Sequence, residues 1–551
     1  MMLSAPFPLS IACRAGNADL VRLLLALRQD DSSAAWAAAI NTALLSAAEF
    51  GADDCVDLLI LHGARLGAIT DSQGRTALHL AVMYDHYHCC EKLVQTGDVN
   101  AVTKDGSTAL LLAVTSPRSE LMVTLLLENG ADKSIRDTCG VSPFYEACSQ
   151  EHIGLARLLH SPIETDNMTV EGRTALHAAC ANGHLDIVEW LLDLDCAVQC
   201  DIADSQDMTA LDLAAKNDRA DIVGLLLDRG IDGNRTNENG ETALFAACRL
   251  DHADVIGVML AGGVDASVVN ADGMTSFHVA VDGANLNAVN QLLAWEFSDR
   301  LLDAVTTPDA DTALHLAAKK GDAAMLDRLL DADAALGVQN RSGETAFYIA
   351  ARTLADQTPA QFLKRGANPY TAPERDMLVL NRACMDGHIK LARDILVMEA
   401  DVIDIQNPQD GKTSLLLAVE NRQDAVVGLL LEFGANPNIA DNLGWYPIHA
   451  ASENGNVAIV TDLVKHGASA NVRDENDVSP SIVSWEQDNK DVFEYLDKLV
   501  TKEEPEACNI DDIPEVPVSR NDDSVEHMMR SCSINDDIDE GTNDKEPLIN
   551  L

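Results

Sequence analysis

The tetrapeptide Thr-Ala-Leu-His, or a close variant, returns about every 33 residues along the 551-residue chain. It is intact at Thr76-Ala77-Leu78-His79, Thr174-Ala175-Leu176-His177 and Thr312-Ala313-Leu314-His315. Looser copies stand at Thr108-Ala109-Leu110-Leu111, Thr242-Ala243-Leu244-Phe245, Thr345-Ala346-Phe347-Tyr348 and Pro447-Ile448-His449. A fixed period of this length marks a stack of small structural units. None of them is large enough to bury its own apolar face, so each must pack on its neighbours.

The copy from Gly172 to Asp201 shows the local grammar. Thr174 stands where a helix starts, and its hydroxyl is suited to cap free backbone N–H groups. Ala178 and Ala179 favour helix and let neighbouring helices approach closely. Asn182-Gly183-His184 breaks that helix. A second helix follows, with Ile187, Val188, Leu191 and Leu192 as its apolar stripe. Elsewhere the second helix ends in glycine, at Gly130, Gly230, Gly366, Gly434 and Gly467, a residue that accepts the left-handed conformation closing a helix. Polar turns such as Asp441-Asn442-Leu443-Gly444 lead to the next pair.

These residues resemble the ankyrin-repeat family, in which helix, turn and helix are followed by a β-turn or hairpin finger. The resemblance implies an all-α-dominated solenoid. Counted from the turn glycine or its equivalent, units begin at Gly74, Gly106, Gly140, Gly172, Asp207, Gly240, Gly273, Ala310, Gly343, Asp376, Gly411, Gly444 and Asp477. Two worn units precede them, around Leu9 and Thr42. The stretch from Met1 to Cys13 therefore reads as a degenerate first repeat rather than a targeting segment. The expected organisation is about eleven units over residues 5–375, about four over 376–502 including a terminal cap, and an acidic disordered tail over 503–551.

Two places depart from the pattern. The 37-residue interval from Gly273 to Ala310 predicts a lengthened loop near Trp295 to Asp309. Pro359 falls within an expected second helix, and Met377-Leu378-Val379-Leu380-Asn381 replaces the tetrapeptide after Pro369 and Pro373. Proline disrupts helix interiors, so a joint is expected near 355–378. The last unit, with Trp485, Phe493 and Tyr495 among many charges, reads as a cap with one polar face. In the tail, 15 acidic residues face 3 basic ones, Arg520, Arg530 and Lys545, a composition that resists folding.

A formal net charge of −49 argues against phosphate-backbone binding and against docking on anionic lipid. It favours partners with basic surfaces. No apolar run approaches the roughly 18 residues of a membrane span. The 13 cysteines include no Cys-x-x-Cys. Their scattered spacing points to a reducing compartment, the cytosol or the nucleus.

Chemistry-bearing residues fall into structural slots. His79, His177, His278, His315 and His449 share the fourth place of the tetrapeptide, while His86, His152, His184, His252 and His388 share the following turn. Cys13, Cys148, Cys180, Cys248 and Cys384 share another slot and read as small buried side chains. His86, His88, Cys89 and Cys90 cluster locally, but His86 already has a slot role, and zinc wants a fuller ligand set. No phosphate-binding glycine loop, nucleophile elbow or His-Glu-x-x-His is present. No catalytic residue, metal or cofactor is assigned, and the chain is read as a monomeric non-enzyme.

In the family, finger tips and the exposed side of the first helix form a concave recognition surface. Carried over by repeat position, this selects Trp445 first, because large aromatics are frequent hot spots. Leu443 lies beside it at the finger tip. Tyr84, Arg249, Leu250, Lys319, Lys320 and Arg352 fall on the first helix or its following turn. The basic members suit an acidic peptide or, alternatively, a solvated salt-bridged surface. The terminal Leu548, Ile549 and Leu551 resemble a PDZ-domain ligand and a truncated clathrin box, and Arg530-Ser531-Cys532-Ser533 is a candidate phosphorylation site. The expected function is a non-catalytic adaptor or scaffold. Alternatives are the substrate receptor of a ubiquitin ligase and a regulatory subunit of a kinase or phosphatase.

Overall fold

A computed structural model describes residues 8–27, 34–65, 70–95, 97–116, 119–161, 168–194, 200–295, 298–353, 359–369 and 378–503. Its helices fall into two compact units, Met1–Glu374 and Arg375–Leu551. Within each, short helices come in turn-linked pairs separated by narrow fingers. In the best-formed repeat the pair is Ala175–Asn182 and Leu185–Asp193. Among the described residues the fingers hold isolated β-bridges, such as Val102 with Thr108 and Val269 with Thr275. The fold is an all-α solenoid.

Five repeats are joined to the next finger through the histidine at the fourth place of the tetrapeptide. The backbone N–H of Thr174 donates to His177 Nδ1 at 3.1 Å. That makes Nδ1 the acceptor and leaves the proton on Nε2. Nε2 then donates to the Met208 carbonyl in the next finger at 3.2 Å. The arrangement repeats from His79 to Ser107 (3.2 Å), His278 to Ala304 (3.0 Å), His315 to Glu344 (3.0 Å) and His449 to Val478 (3.1 Å). Turn histidines reach the other way. His86, His184 and His252 place Nε2 on the carbonyls of Glu49, Ser149 and Lys216, at 3.1, 2.8 and 3.1 Å. Asn285 and Asn489 do the same work with their amides, on Cys248 and Ser452.

Fingers are also tied to one another. Backbone N–H groups of Thr138, Val170 and Ser205 donate to carbonyls of Asp105, Cys139 and Glu171 in the preceding fingers, each at 2.8 Å. This close approach is why the turn residue is usually glycine. A Cβ on Gly106, which has φ +82°, would lie 2.9 Å from the Thr138 nitrogen. The glycine equivalents Asp207, Ala310 and Asp477 hold the same left-handed backbone, at φ 57, 56 and 65°.

Between the helices the core is thin and uniform. Ala179, Ile187, Val188 and Leu191 are buried, and the slot cysteines Cys13, Cys148, Cys180, Cys248 and Cys384 are fully buried. Leu192, expected in the stripe, is only partly covered. The terminal pair Pro480–Glu486 and Lys490–Glu503 buries Val492 and Leu496, and sets Trp485 against Phe493 at 5.6 Å.

Two expectations are corrected. The long interval after Gly273 holds a short helix, Ser298–Leu302, rather than a lengthened loop, because Leu301 and Leu302 find buried positions. Pro359 does not interrupt a helix. It stands first in Pro359–Lys364, where a missing N–H costs nothing, and that helix buries Phe362 against Phe347. Most of the segment expected to form a joint, 354–358 and 370–377, lies outside the described residues, as does the tail from 504 onward.

The five tetrapeptide histidines share a titration behaviour. Burial lowers each of their pKa values below 6.5. In the unfolded chain they protonate as pH falls through about 6.5; in the fold they stay neutral. Their stabilisation is therefore complete above about pH 6.5 and declines as pH falls toward the folded-state pKa. The buried Asp212 carboxyl, raised by burial, opposes this with one group against five. The urea midpoint is expected to drop steadily between pH 7 and 5.5; a flat midpoint there would contradict the assignment.

A candidate protein-interaction face

The fingers and the ends of the first helices share one register. The residue just before the helix cap lies beside the residue eight positions later, at the end of the first helix. Glu241 pairs with Arg249 at 2.5 Å, Glu344 with Arg352 at 3.0 Å, and Asp311 with Lys319. In the second unit the polarity reverses, with Lys412 on Glu420 at 2.8 Å. Arg75 uses the same register to reach the Met83 sulfur at 3.4 Å, while also pairing with Asp71. Lys320 pairs with Asp282 at 2.8 Å in the neighbouring repeat.

Each basic residue assigned to the face from sequence, Arg249, Lys319, Lys320 and Arg352, is thus held by a carboxylate of the fold. The carboxylates of Asp311, Glu241 and Glu344 are largely buried while the cations are half exposed. The pairs fix where the long basic side chains point. Leu250 and Tyr84 are about half exposed, at 47% each, and Leu443 is more so at 65%. Trp445 is partly buried: its indole stacks on His449 with ring centres 4.9 Å apart and planes at 24°. Leu443 and Trp445 share a finger in the second unit, and the others are spread over four repeats of the first. Leu548, Ile549 and Leu551 lie outside the described residues.

Sequence reasoning missed Phe50 and Met83. Both are exposed, in the same positions as Tyr84 and its neighbour, and the Arg14 guanidinium sits 5.7 Å from the Phe50 ring centre. The spacing signal existed, but the worn repeat around Thr42 obscured it.

Residues with reactive chemistry are turned inward. Cys89 and Cys90 are buried while His88 is exposed and pairs with Glu91. Among the described residues no group of three or more His, Cys, Asp or Glu is placed to hold a metal ion. Burial pushes the Cys13, Cys89 and Cys384 thiols up to about 12, and raises those of Cys90, Cys148, Cys180 and Cys248 further. Only the thiolate attacks. Among the described cysteines, Cys139 at a finger tip is the exposed one. With Cys196, Cys508 and Cys532 replaced by serine, the folded chain is expected to show one fast thiol toward Ellman's reagent. Two or more fast thiols before denaturation would contradict the buried assignment.

Comparison with known proteins agrees with this architecture. A model described as ankyrin repeats in three copies matches residues 44–137, 144–237, 233–300, 380–474 and 427–500, and one for many copies matches 299–350. Human transient receptor potential cation channel subfamily A member 1 is 27% identical over 202 residues, covering 29% of this chain and 18% of that protein. The mouse B-cell lymphoma 3 protein homolog is 27% identical over 216 residues, covering 38% and 47%. The matched segments span less than half of either relative. The human ASB11 ankyrin repeat domain aligns with a TM-score of 0.33 at 27% identity, covering 40% of this chain and 98% of that one. No described helix is long and apolar enough to cross a membrane. The family matches cover well over half of the sequence, and the chain belongs to the ankyrin-repeat family.

Proposed function

We propose that this protein is a non-catalytic adaptor or scaffold that binds partner proteins along its fingers and first-helix ends. Ankyrin repeats in general mediate protein–protein interaction and are typically non-catalytic. The observation that carries the reading is a division between positions. The fourth residue of the tetrapeptide and the slot cysteines are buried and engaged with the repeat stack. The residue before the cap changes freely: Arg75, Val141, Met208, Glu241, Lys412 and Trp445 occupy one place in successive or nearby repeats. A constant frame with a changing outward register suits recognition of a specific partner surface.

In this reading Trp445 and Leu443 form the principal contact in the second unit, and residues 503–551 provide a second attachment through Leu548, Ile549 and Leu551. Abundant buried thiols fit a reducing compartment such as the cytosol. Affinity purification of the full chain, compared with Trp445→Ala and with deletion of 503–551, tests the reading. Each change is expected to remove a subset of the recovered proteins. An unaltered set with both changes would contradict it.

A further inference from the structure

The finger register behaves differently at the end of the second unit. The last residue of the first helix is Glu420 in Ser414–Glu420, and Glu486 in Pro480–Glu486; the equivalent in Pro447–Asn454 is Glu453. Three successive repeats thus carry glutamate at one position. In the first unit that position is mixed: Arg249, Asp282, Lys319 and Arg352. Glu420 is neutralised by Lys412, which contacts both carboxylate oxygens at 2.8 Å. In the next two repeats the place of Lys412 is taken by Trp445 and Val478. Neither can neutralise a carboxylate. Glu453 and Glu486 are exposed, and among the described residues neither has an ion-pair partner.

The same substitutions supply apolar surface. Trp445 is stacked on His449 and therefore held in one orientation, Val478 is half-buried beside it in the register, and Leu443 at the tip of the same finger is 65% exposed. In the register, Trp445 thus stands at the place opposite Glu453, and Val478 at the place opposite Glu486. The finger tip of the next repeat adds Glu475, exposed and without an ion-pair partner among the described residues, while Arg473 is held by Asp477 at 3.1 Å.

We infer that the finger face of the second unit, from Leu443 to Glu486, docks an extended basic segment of a partner protein. Its two cations, three residues apart, meet Glu453 and Glu486, and an apolar residue between them meets Trp445. The spacing follows from the stack. Neighbouring helices pack about 8–10 Å apart, and three residues of extended chain span about 10 Å. The carboxylates set the sign and register of the partner, while the indole supplies area at low entropic cost. This proposal rests on the adaptor reading and names the class of partner for part of that face.

The test is fluorescence anisotropy with the full chain and a labelled eight-residue peptide. The peptide carries arginine at its third and sixth positions, leucine between them, and serine and glycine elsewhere. A second peptide carries glutamate in place of both arginines. The arginine peptide is expected to bind saturably, more weakly as salt rises, and the glutamate peptide not to bind. Glu453→Gln with Glu486→Gln should weaken binding by about tenfold or more, since each removes a charge-assisted contact. Trp445→Ala should weaken it further. Glu128→Gln with Glu238→Gln, the same charge change on exposed sites of the first unit, should leave it unchanged. Absence of saturable binding, equal binding of the glutamate peptide, or an equal loss in the control pair would overturn the proposal. If affinity purification recovers partners whose capture ignores Glu453→Gln and Glu486→Gln, the adaptor reading survives and this docking mode does not.

Discussion

In five repeats an imidazole, placed where the first helix begins, ties the repeat to the next finger. Its Nδ1 accepts from the backbone N–H of the cap residue and its Nε2 donates to a carbonyl of the next finger, as at His177 and Met208. Both contacts are buried, where an unmade hydrogen bond costs about 1–3 kcal/mol. The neutral imidazole accepts on one side and donates on the other without carrying charge into the stack. Its substitutes show the requirement. Asp212 accepts from Thr209 at 2.8 Å, but an ionised carboxylate has no proton to pass forward. Phe245 leaves the Thr242 hydroxyl without a partner, and Asn381, fully buried, accepts from Ser414 at 2.7 Å while its amide nitrogen finds none.

The proposed recognition face follows from that frame. Caps, turns and core positions are committed to holding neighbours, whereas the residue before the cap, the finger tip and the helix end carry no such constraint and vary in charge and size. The fold partly settles the charge of these positions itself, through pairs such as Glu241 with Arg249. What remains exposed there includes aromatic and aliphatic side chains such as Phe50, Tyr84, Leu250 and Leu443.

Much of this was legible in the sequence because the repeat places like residues in like environments. The period exposed the histidine and cysteine slots. It also marked Asp207, Ala310 and Asp477 as turn residues, and their positive φ values agree. Other features needed three dimensions. The helix Ser298–Leu302 was hidden because two leucines in an insertion do not announce a surface to bury against. The eight-residue pairing escaped notice because it occurs in few repeats and reverses polarity at Lys412. The stacking that half-buries Trp445 depends on the orientation His449 takes from its own bonds to Tyr446 and Val478. Sequence spacing alone does not show that orientation.

Native-state hydrogen exchange on His315→Leu addresses the central claim most directly. His315 belongs to Ala313–Lys320 and donates to the Glu344 carbonyl beyond it at 3.0 Å. If the imidazole couples repeats, protection will fall by about tenfold or more both in Ala313–Lys320 and in the next repeat's first helix, Ala346–Thr353. A loss confined to Ala313–Lys320 would contradict the account.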